Sequence, residues 1–209
     1  MIETKLTFIH RFTEEAGKAP PLLLLHGTGG DENDLLPLGR LVAPGHGLLS
    51  PRGKVLEHGM PRFFRRLAEG VFDEEDVVAR AAELADFVEE ARAAYGLAAP
   101  VALGFSNGAN IAAAMLMLRP EVLAGAALLR PMVPLARPPH LELEDKPILL
   151  LSGAADPIVP AANAERLAGL LRKAGAEVQA ETLPAGHGLS QADVQIASRW
   201  FAQVLGEGR

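Results

Sequence analysis

A serine between two glycines, Gly104-Phe105-Ser106-Asn107-Gly108, is where this sequence can do chemistry. The apolar run 101–105 precedes the serine, and a small, apolar helical run from Asn110 to Leu118 follows it. Gly-x-Ser-x-Gly between a strand and a helix makes a turn so tight that glycine is needed on either side, with the hydroxyl thrust out at the sheet edge. Such a hydroxyl is a poor nucleophile near neutral pH until a base takes its proton as it attacks. Histidine suits that role because its pKa lies near working pH, and a carboxylate then fixes its tautomer and stabilises the imidazolium. The plain alternative is a turn whose serine merely caps the helix.

Six histidines compete for the role of base. His10 lies on an edge strand, His46 and His58 in loops and His140 in a proline-rich segment, and all four read as surface residues. His26 follows a strand, but its glycine-rich surroundings favour a structural hydrogen bond over proton transfer. His187 sits after the last strand and before the last helix, and it is the candidate base. Asp156, at the end of the penultimate strand, is the candidate acid; its plain alternative is a turn residue before Pro157. Asp73 and Asp76 precede Ser106 and are explained by the dipole of the helix they open, while Asp193 is expected to face solvent on the final helix. Acyl transfer also needs donors for a tetrahedral oxyanion. The backbone N–H of Asn107, at the start of the helix, is one, and the N–H of Thr28 is chosen as the other. The loop His26-Gly27-Thr28-Gly29-Gly30 lacks the lysine and threonine that complete a phosphate-binding loop, and it does not form the dinucleotide fingerprint. No cofactor and no catalytic metal are expected.

These groups need elements to hold them. An edge strand is predicted over 4–10. Leu22 to Leu25 is apolar at every position, as in a parallel strand covered on both faces. Asp31 is expected to start a helix carrying Leu35, Leu36, Leu38 and Leu41, and a short strand follows at 47–51. From Arg52 to Phe72 no periodicity is clear, and long irregular segments in compact domains tend to be functional. Phe63 and Phe64 in that segment, with Met132 and Leu189, are the expected pocket wall, against the plain alternative of core packing. Arg62, Arg65 and Arg66 could attract a negatively charged substrate, although a solvated surface explains them as well. A helix spaced in threes and fours runs from Val77 to Tyr95. Strands at 126–129, 148–151 and 177–183 alternate with helices from about Ala161 to Gly175 and at the C-terminus. This alternation predicts a mostly parallel sheet with helices on both faces, in one domain over residues 1–209. In such sheets ligands sit beyond the carboxyl ends of the strands, which is where Ser106, the 26–30 loop, Asp156 and His187 all fall.

At 209 residues, 49% of them hydrophobic, the chain can bury a sizeable core. Its net charge of −6 and scattered basic residues speak against nucleic acid. There is no cysteine, so thiol catalysis is out. No apolar run approaches the roughly 18 residues of a membrane span, and residues 1–10 lack the apolar core of a signal peptide. A cytoplasmic location is the expectation.

H-G-T-G-G-D-E at 26–32, G-F-S-N-G-A at 104–109, S-G-A-A-D-P-I-V-P at 152–160 and G-H-G-L at 186–189 together resemble the serine esterases of the carboxylesterase, lysophospholipase and acyl-protein thioesterase group. The likeness runs from about Pro20 onward. It implies an α/β-hydrolase fold with about seven strands and little or no cap domain, Ser106, Asp156 and His187 as triad, and Thr28 with Asn107 as oxyanion hole. The stretch S-P-R-G-K-V-L-E-H-G-M-P-R-F-F-R-R at 50–66 looks like a bacterial subgroup associated with aromatic or quinone stress. Acyl-protein thioesterases typically have glutamine and a second glycine after the serine, where this chain has Asn107, Gly108 and Ala109. The resemblance implies hydrolysis of a small-molecule ester. A thioesterase or lysophospholipase with the same triad, and a non-catalytic binding protein, are the alternatives. Members of the fold often dimerise, so a homodimer stays open.

Overall fold

The computed structural model describes residues 6–14 and 20–206. In chain order it contains β1 (His10–Thr13), β2 (Leu22–Leu25), α1 (Leu36–Val42) and β3 (Leu48–Pro51). Two small hairpins follow, β4 (Val55–Glu57) with β5 (Met60–Arg62) and β6 (Arg66–Ala68) with β7 (Val71–Phe72). Next come α2 (Glu74–Tyr95), β8 (Val101–Phe105), α3 (Asn107–Leu118) and β9 (Gly125–Leu129). The chain closes with β10 (Pro147–Gly153), α4 (Ala161–Lys173), β11 (Glu177–Leu183) and α5 (Gln191–Gly206).

Seven strands form the main sheet in the order β1-β3-β2-β8-β9-β10-β11. The ladders are parallel except between β1 and β3. Continuous apolar runs make this possible, because β2, β8 and β9 are covered on both faces. One core lies between the sheet and α2, α3 and α4. The other lies under α1 and α5, where Trp200, Phe201 and Ile196 meet Leu24, Leu103 and Leu149. Register aligns the strand ends: Leu25 pairs with Gly104, Phe105 with Leu129, and Gly153 with Leu183. The sheet is mostly parallel with helices on both faces, as the alternation of elements predicted, and has the seven strands implied by the resemblance to α/β-hydrolases.

Three local expectations change. Of the strand predicted over 4–10, residues 4 and 5 lie outside the described residues, and pairing begins only at His10. Phe8 turns into the core instead, and Ile9 uses its carbonyl on the N–H of Arg52 at 2.8 Å. The helix expected from Asp31 starts at Leu36, because Asp31 Oδ1 accepts the Asn33 N–H at 2.8 Å and spends residues 31–34 on a turn. The segment 52–72 is not irregular. His58 and Gly59, both at positive φ, form the two-residue turn of the first hairpin, which matches the twist of its strands. Gly70, at φ +72°, sits in the turn of the second.

Candidate active site

Ser106 stands between β8 and α3 at φ +52° and ψ −114°, a conformation unfavourable for a residue with a side chain. Such strain costs about 1–3 kcal/mol and persists only where the surroundings hold it. Here the Ser106 N–H donates to Leu129 O at 2.8 Å, and Ser106 O accepts the Asn110 N–H at 3.0 Å. The flanking glycines are needed for space. A Cβ on Gly104 would lie 2.7 Å from Ala109 Cα, and one on Gly108 would overlap the Leu25 carbonyl. The turn therefore lets α3 lie directly against the end of β2.

Beyond β10, the Asp156 side chain is fully buried. Its Oδ1 accepts the N–H groups of Ile158 at 2.8 Å and Val159 at 3.0 Å, leaving Oδ2 at 2.9 Å from His187 Nδ1. Burial opposes ionisation of this carboxyl, but those two N–H groups and the imidazole outweigh it and hold its pKa below the ordinary aspartate value. Beyond β11, His187 Nε2 lies 2.9 Å from Ser106 Oγ, with the Phe105 ring 5.4 Å from the imidazole. Ionised Asp156 requires the proton on Nδ1, which leaves Nε2 to accept from the serine hydroxyl. Three groups separated by up to 81 positions in sequence thus form one hydrogen-bonded line.

The 26–30 loop lies after β2, and its histidine is structural in geometry, as expected. His26 is buried, its Nδ1 2.7 Å from Gly27 O, and its Nε2 accepts the Gly53 N–H at 3.0 Å. Burial pushes its pKa below the ordinary histidine value, consistent with a neutral ring that accepts at Nε2. The Gly29 N–H donates to Pro61 O at 2.9 Å and the Gly30 N–H to Gly27 O at 3.1 Å. Between them and His26, Thr28 is exposed. Asn107 begins α3, where an N–H has no partner within the helix, and its side-chain Oδ1 accepts the Phe63 N–H at 2.7 Å. His26 and Asn107 therefore tie the first hairpin to the loops beside Ser106.

The expected pocket wall needs correction. Phe63 and Phe64 are 3% and 0% exposed and belong to the core. Phe63 lies 4.7 Å from the His26 ring and Phe64 edge-on to Phe72 at 5.0 Å, since both rings turn inward under the hairpins. Leu189 is half-buried and packs against the second core. Met132 is nearly buried, its N–H held by Asn110 Oδ1 at 2.7 Å. Its methyl group lies 3.8 Å from where a Cβ on Gly70 would stand, in the turn of the second hairpin. Met60, not singled out by the sequence, is part-exposed beside Gly29. Its signal was hidden because strands of three residues show no period.

The arginines also divide. Arg62 is buried, paired with Glu57, and donates from Nε to Phe64 O at 2.8 Å, so it is no solvated cation. Arg66 Nε meets the same Glu57 at 2.9 Å, and Arg65 pairs with Asp73. Asp73 caps α2 by accepting the Asp76 N–H, as the dipole argument anticipated. Asp193 is the largest departure. Instead of facing solvent it is 1% exposed, because Ser190 donates to it and Arg130, at the end of β9, grips it with two nitrogens. The sequence held a signal: an arginine directly after the fully apolar 125–129, and a Ser-x-x-Asp start to the last helix.

With this geometry in place, residues 13–205 match the Phospholipase/Carboxylesterase family. The chain belongs to that family. It is an esterase-type hydrolase. Similarity to MhqD of Bacillus subtilis (strain 168) is 45% identity over 186 residues, covering 88% of this chain and 93% of that protein. A carboxylesterase from Bacillus cereus superposes with a TM-score of 0.92 at 45% identity, over 95% of each chain. One from Mesorhizobium loti gives 0.89 at 37% identity, over 95% of this chain and 96% of the other. Among the described residues, no helix is long and apolar enough to cross a membrane.

Proposed function

We propose that this family member hydrolyses carboxylic esters of small molecules through an acyl-enzyme formed on Ser106. The observation that carries the reading is the line Asp156–His187–Ser106, with 2.9 Å at each of its two junctions. His187 Nε2 takes the hydroxyl proton as Oγ attacks the carbonyl carbon, and Asp156 stabilises the imidazolium that results. The carbonyl oxygen becomes an oxyanion facing the N–H groups of Asn107 and Thr28. Gly29 and Gly30 use their own N–H groups on Pro61 O and Gly27 O, which supports Thr28 as the loop donor. The imidazolium then gives its proton to the departing alkoxide, releasing an alcohol. Water enters, His187 takes one of its protons, and the hydroxide attacks the acyl carbon. Collapse of the second tetrahedral intermediate frees the carboxylic acid and returns the proton to Ser106.

Burial of Phe63, Phe64 and Met132 leaves Met60, exposed beside Gly29, as the candidate substrate contact. Its unbranched thioether fills irregular apolar space, which supports an apolar acyl or aryl group on the ester. The test is Ser106→Ala assayed with a short-chain aryl ester. Turnover should fall by about 10⁴-fold or more, with the thermal midpoint changed little, since alanine keeps the Cβ that strains the turn. Near-wild-type turnover would sink the reading.

A further inference from the structure

The loop that carries His187 is flanked by Gly186 and Gly188, the two residues least able to hold a backbone still. On its incoming side the Ala155 N–H reaches Ala185 O at 3.0 Å. What fixes the segment around the histidine itself is Arg130. Its Nε donates to Gly186 O at 3.0 Å, and Nη2 donates to Gly188 O at 3.2 Å. Nη2 also meets Asp193 Oδ2 at 3.0 Å, while Nη1 meets Asp193 Oδ1 at 2.7 Å and Leu151 O at 3.4 Å. A guanidinium has five N–H donors in a rigid plane, and here five contacts face it. The side chain is 0% exposed.

Asp193 is shared. Its Oδ2 also accepts the N–H and hydroxyl of Ser190, each at 2.7 Å, in a cap at the start of α5. The cation is thus neutralised and its plane fixed from the helix side, while its other edge holds the two carbonyls that bracket His187. Arg130 reaches this place from a backbone at φ +58°, a region that favours glycine. A buried ion pair contributes little stability beyond apolar packing of the same volume. Strain and burial together point to a geometric requirement.

We propose that Arg130 is a positioning residue for the base: locked by Asp193, it clamps the carbonyls of Gly186 and Gly188 and so sets the imidazole between Asp156 and Ser106. This rests on the acyl-transfer reading above. Arg130 touches neither substrate nor reacting atom, and its effect passes through the peptide units on either side of His187.

Arg130→Lys separates the clamp from the charge. An ammonium can still pair with Asp193, but one nitrogen cannot reach both carbonyls as well. The expected result with a short-chain aryl ester is a kcat lower by about tenfold to a hundredfold, as for a misplaced catalytic group, with KM within about threefold of wild type. Labelling of Ser106 by a fluorophosphonate should slow by a similar factor. Arg130→Gly suits the left-handed backbone and provides the second variant should lysine fail to fold. Its kcat should recover on adding methylguanidinium and not on adding methylammonium, which lacks the planar fork. The proposal is overturned by a folded Arg130→Lys enzyme with kcat within about twofold of wild type. It is equally overturned by a loss confined to KM, or by an Arg130→Gly enzyme indifferent to methylguanidinium. Ser106→Ala run in parallel keeps the two readings apart: an active Ser106→Ala enzyme removes the acyl-transfer reading, whereas an inactive one beside an unaffected Arg130→Lys removes the clamp alone.

Discussion

Asp156 illustrates how little the proposed catalytic line leaves to chance at the scale of single residues. One carboxylate oxygen is occupied by two backbone N–H groups, so the other is aimed at His187 without competition. Asp156→Asn keeps the size of the side chain but allows the amide to present a donor to Nδ1, favouring the wrong imidazole tautomer. We expect kcat to fall by about 10⁴-fold, with urea unfolding changed far less than activity. Steady-state kinetics alongside denaturation checks both halves. The sequence could place Ser106, Asp156 and His187 at one sheet edge because each follows its own strand. Asp193 could not be so placed. Its solvent-facing reading came from helix position alone, and the partner that buries it, Arg130, lies 63 residues away. Pairings of that range leave no periodic trace.

At the scale of elements, the contact between the end of β2 and the start of α3 controls the elbow. Gly108 is helical, and a methyl group there would overlap the Leu25 carbonyl, which cannot yield without breaking the β2–β8 ladder. Gly108→Ala should therefore destabilise by about 1–3 kcal/mol or more, as overpacking does, despite alanine being the better helix former. Urea unfolding measures the loss, and an unchanged midpoint would contradict the close approach. The long, continuously apolar strands were readable for the same reason they are stable: they have no solvent face. The hairpins were not. A strand of two or three residues spans at most one alternation, and Leu56 and Leu67, 68% and 70% exposed, break even that pattern. Their turns carried the information instead, in His58-Gly59 and Gly70. Phe63 and Phe64 were misplaced in consequence, since without the hairpins nothing indicated which way the pair would turn.

For the molecule as a whole, buried His26 and a group of paired carboxylates set the acid limit of stability. His26 has a folded pKa below 6.5, so under that pH the unfolded chain binds the extra proton first and stability falls. Asp156 and Asp193 have folded values below 3.8, so their contribution is complete above 3.8 and is lost as the pH drops further. Thermal midpoints should therefore decline in two steps on acidification, one beginning near 6.5 and one below 4.5, where the arginine- and lysine-paired glutamates Glu32, Glu57, Glu83 and Glu121 join the two aspartates. His26→Gln should abolish the first and spare the second; a single step below 4.5 in the unaltered protein would contradict it. The fold at this scale was legible from alternation, because a parallel sheet needs a long crossover between successive strands, here a helix in every case but the loop 130–146 between β9 and β10. Its two hairpins, however, occupy one uninterrupted excursion that leaves at Pro51 in β3 and returns at Asp73, the cap of α2. No ladder of the main sheet runs through it. It is nevertheless tied to the loops beside Ser106, because Gly53, Pro61 and Phe63 hydrogen-bond to His26, Gly29 and Asn107 through their backbone, and Phe63 and Phe64 belong to the core. A descendant could therefore vary the exposed hairpin tips at 58–59 and 69–70, while the backbone between them stays committed to the site.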